Sequence, residues 1–156
     1  MKQIVIGCDN VAVGLKQIII KVLEQKGIKY EDVGVDSETD NTIYPLIAEK
    51  VCKRIIDSDY QKEGLLICGT GIGMAISANK FPGIYAAVCH DTYSAERARL
   101  SNDSNVMTMG ARVIGPELAK KIVEEWISLK FVPGNSSSKV QKIKDFEKNN
   151  FKSNAV

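Results

Sequence analysis

Short apolar runs rich in β-branched residues alternate with stretches of helical periodicity along this chain, and no other feature restricts its fold as strongly. Gln3 to Gly7 is unbroken in its apolar character after Gln3, as a strand covered on both faces would be. Val13 to Lys26 has helical spacing through Leu15, Ile18, Ile19, Val22 and Leu23, and Gly27 is the stop signal. Lys29 to Val33 reads as a second strand. Pro45 suits the first turn of a helix whose apolar face carries Ile47, Val51, Cys52 and Ile55. Gly64 to Cys68 is a third strand that runs into Gly69-Thr70-Gly71-Ile72-Gly73 and a short helix ending near Asn79. Tyr85 to Cys89 and Val106 to Met109 supply the fourth and fifth strands, with a helix from Ser94 to Leu100 between them. Pro116 opens an amphipathic helix through Leu118, Ile122, Val123 and Trp126. A polar turn, Pro133 to Ser138, precedes a last helix from Lys139 to the neighbourhood of Asn150.

Elements in this order predict right-handed crossovers and a single α/β/α domain over residues 1–150, with a five-stranded, mostly parallel sheet, an extra C-terminal helix and a short tail at 151–156. Neither an internal repeat nor a dividing linker is visible. The formal charge of +2 is too small to favour nucleic acid or an acidic membrane surface, and Asp145 and Glu147 interrupt the Lys-rich C-terminal stretch, which reads as a solvated helix face. No apolar run approaches the ~20 residues that span a bilayer, and Lys2 to Ile6 is too short for a signal-peptide core. Cys8, Cys52, Cys68 and Cys89 are widely scattered without a C-x-x-C pair. Four free thiols, no metal site and a cytoplasmic location are the expectation.

In a parallel sheet, ligands sit beyond the carboxyl ends of the strands, where strand order reverses. Three segments qualify: Cys8-Asp9-Asn10, Cys68-Gly69-Thr70-Gly71 and Cys89-His90-Asp91. The glycines at 69, 71 and 73 leave main-chain N–H groups unobstructed at a helix start, able to hold a phosphate or an oxyanion. A tight strand-to-helix turn asks for the same glycines, so the loop alone does not decide between these readings. Its spacing is not that of a dinucleotide fingerprint. Cys68 is either a thiol activated by helix-start amides or a buried core cysteine. Asp9 either meets a ligand or caps the following helix. His90, the only histidine, is an acid–base group or part of a helix start. Arg97, Arg99 and Arg112 meet phosphate or form surface pairs with Glu96 and its neighbours.

Taken together, Ile6–Asp9, Tyr44-Pro45, Leu66–Met74, Ala78–Lys80, Cys89–Ala95, Asn102-Asp103, Asn105-Val106 and Met109–Gly115 resemble the ribose-5-phosphate isomerase B family, which also includes the galactose-6-phosphate isomerase subunits. The resemblance runs in family order to the vicinity of Val140. It implies a flavodoxin-like sheet, a homodimer or dimer of dimers with the site at the subunit interface, no cofactor, and aldose–ketose interconversion of a sugar phosphate through an enediol(ate). By the same resemblance Cys68 moves the proton, and amides from Gly69 through Gly71, Ile72 and Gly73 to Met74 stabilise charge on oxygen. Thr70 assists ring opening, while Asp9, Tyr44 and Asn102 hold hydroxyls.

The departures from the family pattern fall on ring opening and phosphate binding. Asn10 and Ser101 stand where the family carries histidines. Asn135 and Lys139 stand where it carries phosphate-gripping arginines, leaving Arg112 as the remaining arginine of the phosphate group. Proton transfer on a substrate other than ribose 5-phosphate is therefore expected. A tetrose phosphate, which cannot close a stable ring through its phosphorylated end, is attractive, and a hexose phosphate is also open. Two alternatives are a non-catalytic sugar-phosphate-binding member or partner subunit, and a nucleotide or flavin module.

Overall fold

The computed structural model describes residues 2–151, so of the expected tail only Phe151 is among them and the rest lies outside the described residues. Along the chain run β1 (Gln3–Cys8), a 3-10 turn (Asn10–Ala12), α1 (Val13–Gln25), β2 (Tyr30–Asp32), α2 (Tyr44–Ile56) and β3 (Lys62–Cys68). There follow α3 (Ile72–Ala78), β4 (Ala86–Val88), α4 (Thr92–Leu100), β5 (Val106–Gly110), α5 (Pro116–Ser128) and α6 (Ser137–Asn150). The strands form one sheet in the order β2-β1-β3-β5-β4, with every pairing parallel. β5 thus lies between β3 and β4, and both edge strands are only three residues long.

The central strands β1, β3 and β5 are almost wholly buried because helices cover both faces. α2 and α3 pack together on one side, and α1, α5 and α4 on the other. In α5 the buried positions are Ala119, Ile122, Val123, Trp126 and Ile127. Leu118, expected on that face, is exposed, because the stripe at 119, 122, 123 and 126 leaves it one residue off the apolar side. α6 begins at Ser137, two residues earlier than the pattern indicated, and buries Val140. It is pinned beside the start of β4, where Glu147 accepts hydrogen bonds from the Gly83 N–H and the Tyr85 hydroxyl, each at 2.8 Å. Among the described residues, no helix is long and apolar enough to cross a membrane.

A buried charge lies on the inner face of α1. Lys16 is fully enclosed, and its Nζ reaches Asp32 at 2.7 Å, Asp36 at 2.9 Å and the Val35 carbonyl at 2.9 Å. This clasp ties α1 to the segment after β2. A second buried pair, Arg99 with Glu63 at 2.8 Å, stacks its guanidinium 4.4 Å from the Trp126 ring centre.

Candidate active site

Strand order reverses between β1 and β3, because β2 lies on one side of β1 and β3 on the other. The crevice beyond these two strand ends is where the topology presents side chains to a ligand. Cys68 closes β3 and is almost enclosed among the core residues, and its Sγ accepts the Gly71 N–H at 3.0 Å. The other three thiols are fully buried. Burial pushes each of them up to about 12, against the pull of Lys16 in the case of Cys8.

The Cys68 loop is laced to the end of β5. The Ala111 and Arg112 N–H groups donate to the carbonyls of Cys68 and Gly69 at 2.8 and 3.0 Å. Thr108 Oγ1 donates to the Gly71 carbonyl at 2.8 Å. Gly71 has φ +78°, and a Cβ there would meet the Met109 backbone at 2.8 Å, so both conformation and space require glycine. The Arg112 side chain lies over Gly69, its Cδ 3.6 Å from where a Cβ would be. Four N–H groups lack intrahelical partners at a helix start. Here Gly71 donates to sulfur and Ile72 to Thr70 Oγ1, and Met74 in the first turn is fully buried.

Asp9, Asn10 and Tyr44 gather at the same end. Asp9 precedes the 3-10 turn but its side chain makes no capping bond, and its Oδ1 is buried without a partner. Burial raises its pKa, while the nearby Val11 amide and Arg112 guanidinium act in the other direction. Asn10 donates through Nδ2 to the Glu38 carbonyl at 3.3 Å. The Tyr44 ring lies over Gly73, where a Cβ would be 2.9 Å from its hydroxyl. His90 accepts the Gly110 N–H at Nε2, 2.9 Å away, and Asp91 caps α4 by accepting the Ser94 N–H at 2.7 Å.

The remaining predicted residues lie elsewhere in the chain. α4 runs from the carboxyl ends of the strands back to their amino ends, so Ser101 and Asn102 sit at the opposite end of the sheet from Cys68. The Ser101 hydroxyl is held by Arg97, and Asn102 borders a cavity with Tyr85, Val140 and Lys144. Asn135 and Lys139 belong to the same end, since the Val132 N–H reaches the Leu100 carbonyl at 3.4 Å and α6 follows directly. Lys144 pairs there with Asp103 at 3.0 Å, beside Asn102. Arg99 is no phosphate ligand in this arrangement. Its guanidinium is engaged by Glu63 and by the Leu129 and Ser104 carbonyls.

Two features of the site escaped the sequence reading. Lys16 occupies the apolar stripe of α1, between Ala12 and Ile19 at helical spacing, which is the signal that marked it. Thr108 gave no signal, because its contact with Gly71 depends on β5 lying beside β3. Among the described residues, no group of three or more His, Cys, Asp or Glu side chains is placed to hold a metal ion.

Fold and site define a parallel α/β protein that presents one thiol beside main-chain amides at the topological switch point. The Ribose/Galactose Isomerase family model matches residues 4–143, and the chain belongs to that family and is an isomerase. A ribose-5-P isomerase B of Listeria innocua is 49% identical over 148 residues, covering 95% of this chain and 99% of its own. A D-erythrulose-4-phosphate isomerase of Pectobacterium atrosepticum is 50% identical over 147 residues, covering 94% and 96%. The structure of Clostridium thermocellum ribose-5-phosphate isomerase B matches with a TM-score of 0.89 at 37% identity, covering 95% of this chain and 99% of that one.

Proposed function

We propose that this protein interconverts an aldose phosphate and its ketose without a cofactor, and that a four-carbon sugar phosphate is its substrate. The observation that carries the reading is the Cys68 sulfur, which accepts the Gly71 N–H at the carboxyl end of β3, beside the switch point. As a thiolate it removes the proton from the carbon next to the carbonyl and returns it to the neighbouring carbon. In this reading the charge that develops on oxygen between the two transfers is met by main-chain amides of the Gly69–Met74 loop.

The preference for a tetrose phosphate follows from what the site lacks. Asn10 and Ser101 have no acid–base capacity, and both are tied to neighbours. The single histidine is engaged with Gly110. A substrate that is open-chain in solution needs none of them. The relative acting on D-erythrulose 4-phosphate supports this choice, being as similar to the chain as the ribose-5-P isomerase B.

The working unit in this reading is a cytoplasmic homodimer with its sites between subunits. Ile43, Leu46, Ile72 and Ile76 expose an apolar surface beside the Cys68 loop, which a second copy would cover. That copy would bring Asn102, Asn135 and Lys139 to the hydroxyls and phosphate, alongside Arg112. Steady-state kinetics of the purified protein on tetrose, pentose and hexose phosphates test the proposal. The largest kcat/KM is expected for the tetrose phosphate, and a strong preference for ribose 5-phosphate would overturn it.

A further inference from the structure

β4 stops at Val88, and the Gly110 amide at the end of β5 points to the side on which β4 has run out. Cys89 still donates its N–H to the Thr108 carbonyl at 2.9 Å, but the next position in the ladder is filled by a side chain. The Nε2 of His90 takes the Gly110 N–H at 2.9 Å, in the place of a strand carbonyl. An imidazole that accepts at Nε2 is neutral and carries its proton on Nδ1.

We infer that His90 is a positioning residue, setting the Gly110 peptide against which the Cys68–Thr70 loop is seated. The inference rests on the isomerase reading given above. Gly110 has no slack: a Cβ there would lie 2.6 Å from Thr70 Cα and 2.8 Å from the Gly69 carbonyl oxygen. The next two amides are those that grip Cys68 and Gly69. Turning the Gly110 peptide therefore disturbs the loop at three consecutive residues. Asp91, which caps α4 by accepting the Ser94 N–H, anchors the other end of the lever, because it fixes the backbone next to His90. The hydrogen bond of the His90 side chain goes to Gly110 and not to a group proposed to meet substrate, so it acts through Gly110.

The test compares His90→Gln, which keeps an acceptor near the position of Nε2, with His90→Leu, which removes it. His90→Leu is expected to lower kcat about 10-fold or more with KM within about 2-fold, and His90→Gln to stay within about 3-fold of wild type. Equal losses in both variants, or none in either, overturn the inference. Imidazole 15N spectra of the wild-type protein, which has one histidine, should show the Nδ1–H tautomer. An Nε2–H tautomer overturns the inference even if His90→Leu fails to fold. A wild-type protein without turnover defeats the isomerase reading instead. The role of His90 is then decided by the iodoacetamide alkylation rate at Cys68, which is expected to change in His90→Leu and to recover in His90→Gln.

Discussion

The sulfur of Cys68 lies 3.0 Å from the amide nitrogen of Gly71, three residues further along the same loop. The contact turns the sulfur towards the main chain that would stabilise the enediolate formed by its own proton abstraction. Under the proposed mechanism, base and oxyanion support would come from one stretch of backbone.

Cys68→Ala should reduce isomerisation by about 10²- to 10⁴-fold, the contribution of a positioned acid–base group. The measurement is deuterium uptake from solvent at C1 or C2 of the sugar phosphate, followed by proton NMR. Uptake at the wild-type rate in this variant would place the base elsewhere.

Asp9→Asn is expected to stabilise the fold by about 1 kcal/mol at neutral pH while lowering turnover. Asp9 is an acid whose pKa burial raises in the folded protein, so its ionisation works against folding. Stability contributed at this position is present below the unfolded carboxylate value and falls as pH rises through the folded one. Urea denaturation at several pH values should show that slope in the wild-type protein and its reduction in the variant.

The Lys16 clasp should respond unequally to loss of its two sides. Lys16→Met leaves carboxylates that reach water, and roughly 1 kcal/mol is expected. Replacing both Asp32 and Asp36 with Asn strands an enclosed ammonium, at a cost of about 3–5 kcal/mol. Burial lowers the Lys16 pKa, but the hydrogen bonds it donates to Asp32 and Asp36 outweigh this and the net shift is upward. The associated stability is complete below the unfolded lysine value and is lost as pH rises through the folded one. Alkaline denaturation should therefore steepen in the wild-type protein and flatten in Lys16→Met.

Subunit complementation tests the shared site. Cys68→Ala and Asn102→Ala proteins, each nearly inactive alone, should regain about one quarter of wild-type activity after mixed refolding, since half of the dimers then carry one intact site of two. A mixture no better than its components would mean that Cys68 and Asn102 from different subunits do not share a site.

The alternation of apolar runs was enough to locate each strand and helix, because a strand buried on both faces and an amphipathic helix leave different periods in the sequence. The positions of Asp9 and Cys68 were legible for a related reason: strand ends at a switch point can be read from element order. What could not be read was which strands lie side by side. That β5 enters between β3 and β4 brings Thr108 and Gly110 against the Cys68 loop, and it is a consequence of packing across the whole sheet. The separation of Asn102, Asn135 and Lys139 from Cys68 has a different origin. Direction of travel along α4 decides it, rather than any local signal.

The short edge strands have a consequence for how the protein behaves in a crowded solution. An incoming strand that paired with β2 or β4 would find three residues of ladder, roughly 10 Å, before the register ended. At β2 it would also meet Glu31, which is bound to both Lys62 and Arg54. Such margins offer little template for cross-β growth, so the chain keeps its longest and most apolar strands out of reach of its neighbours.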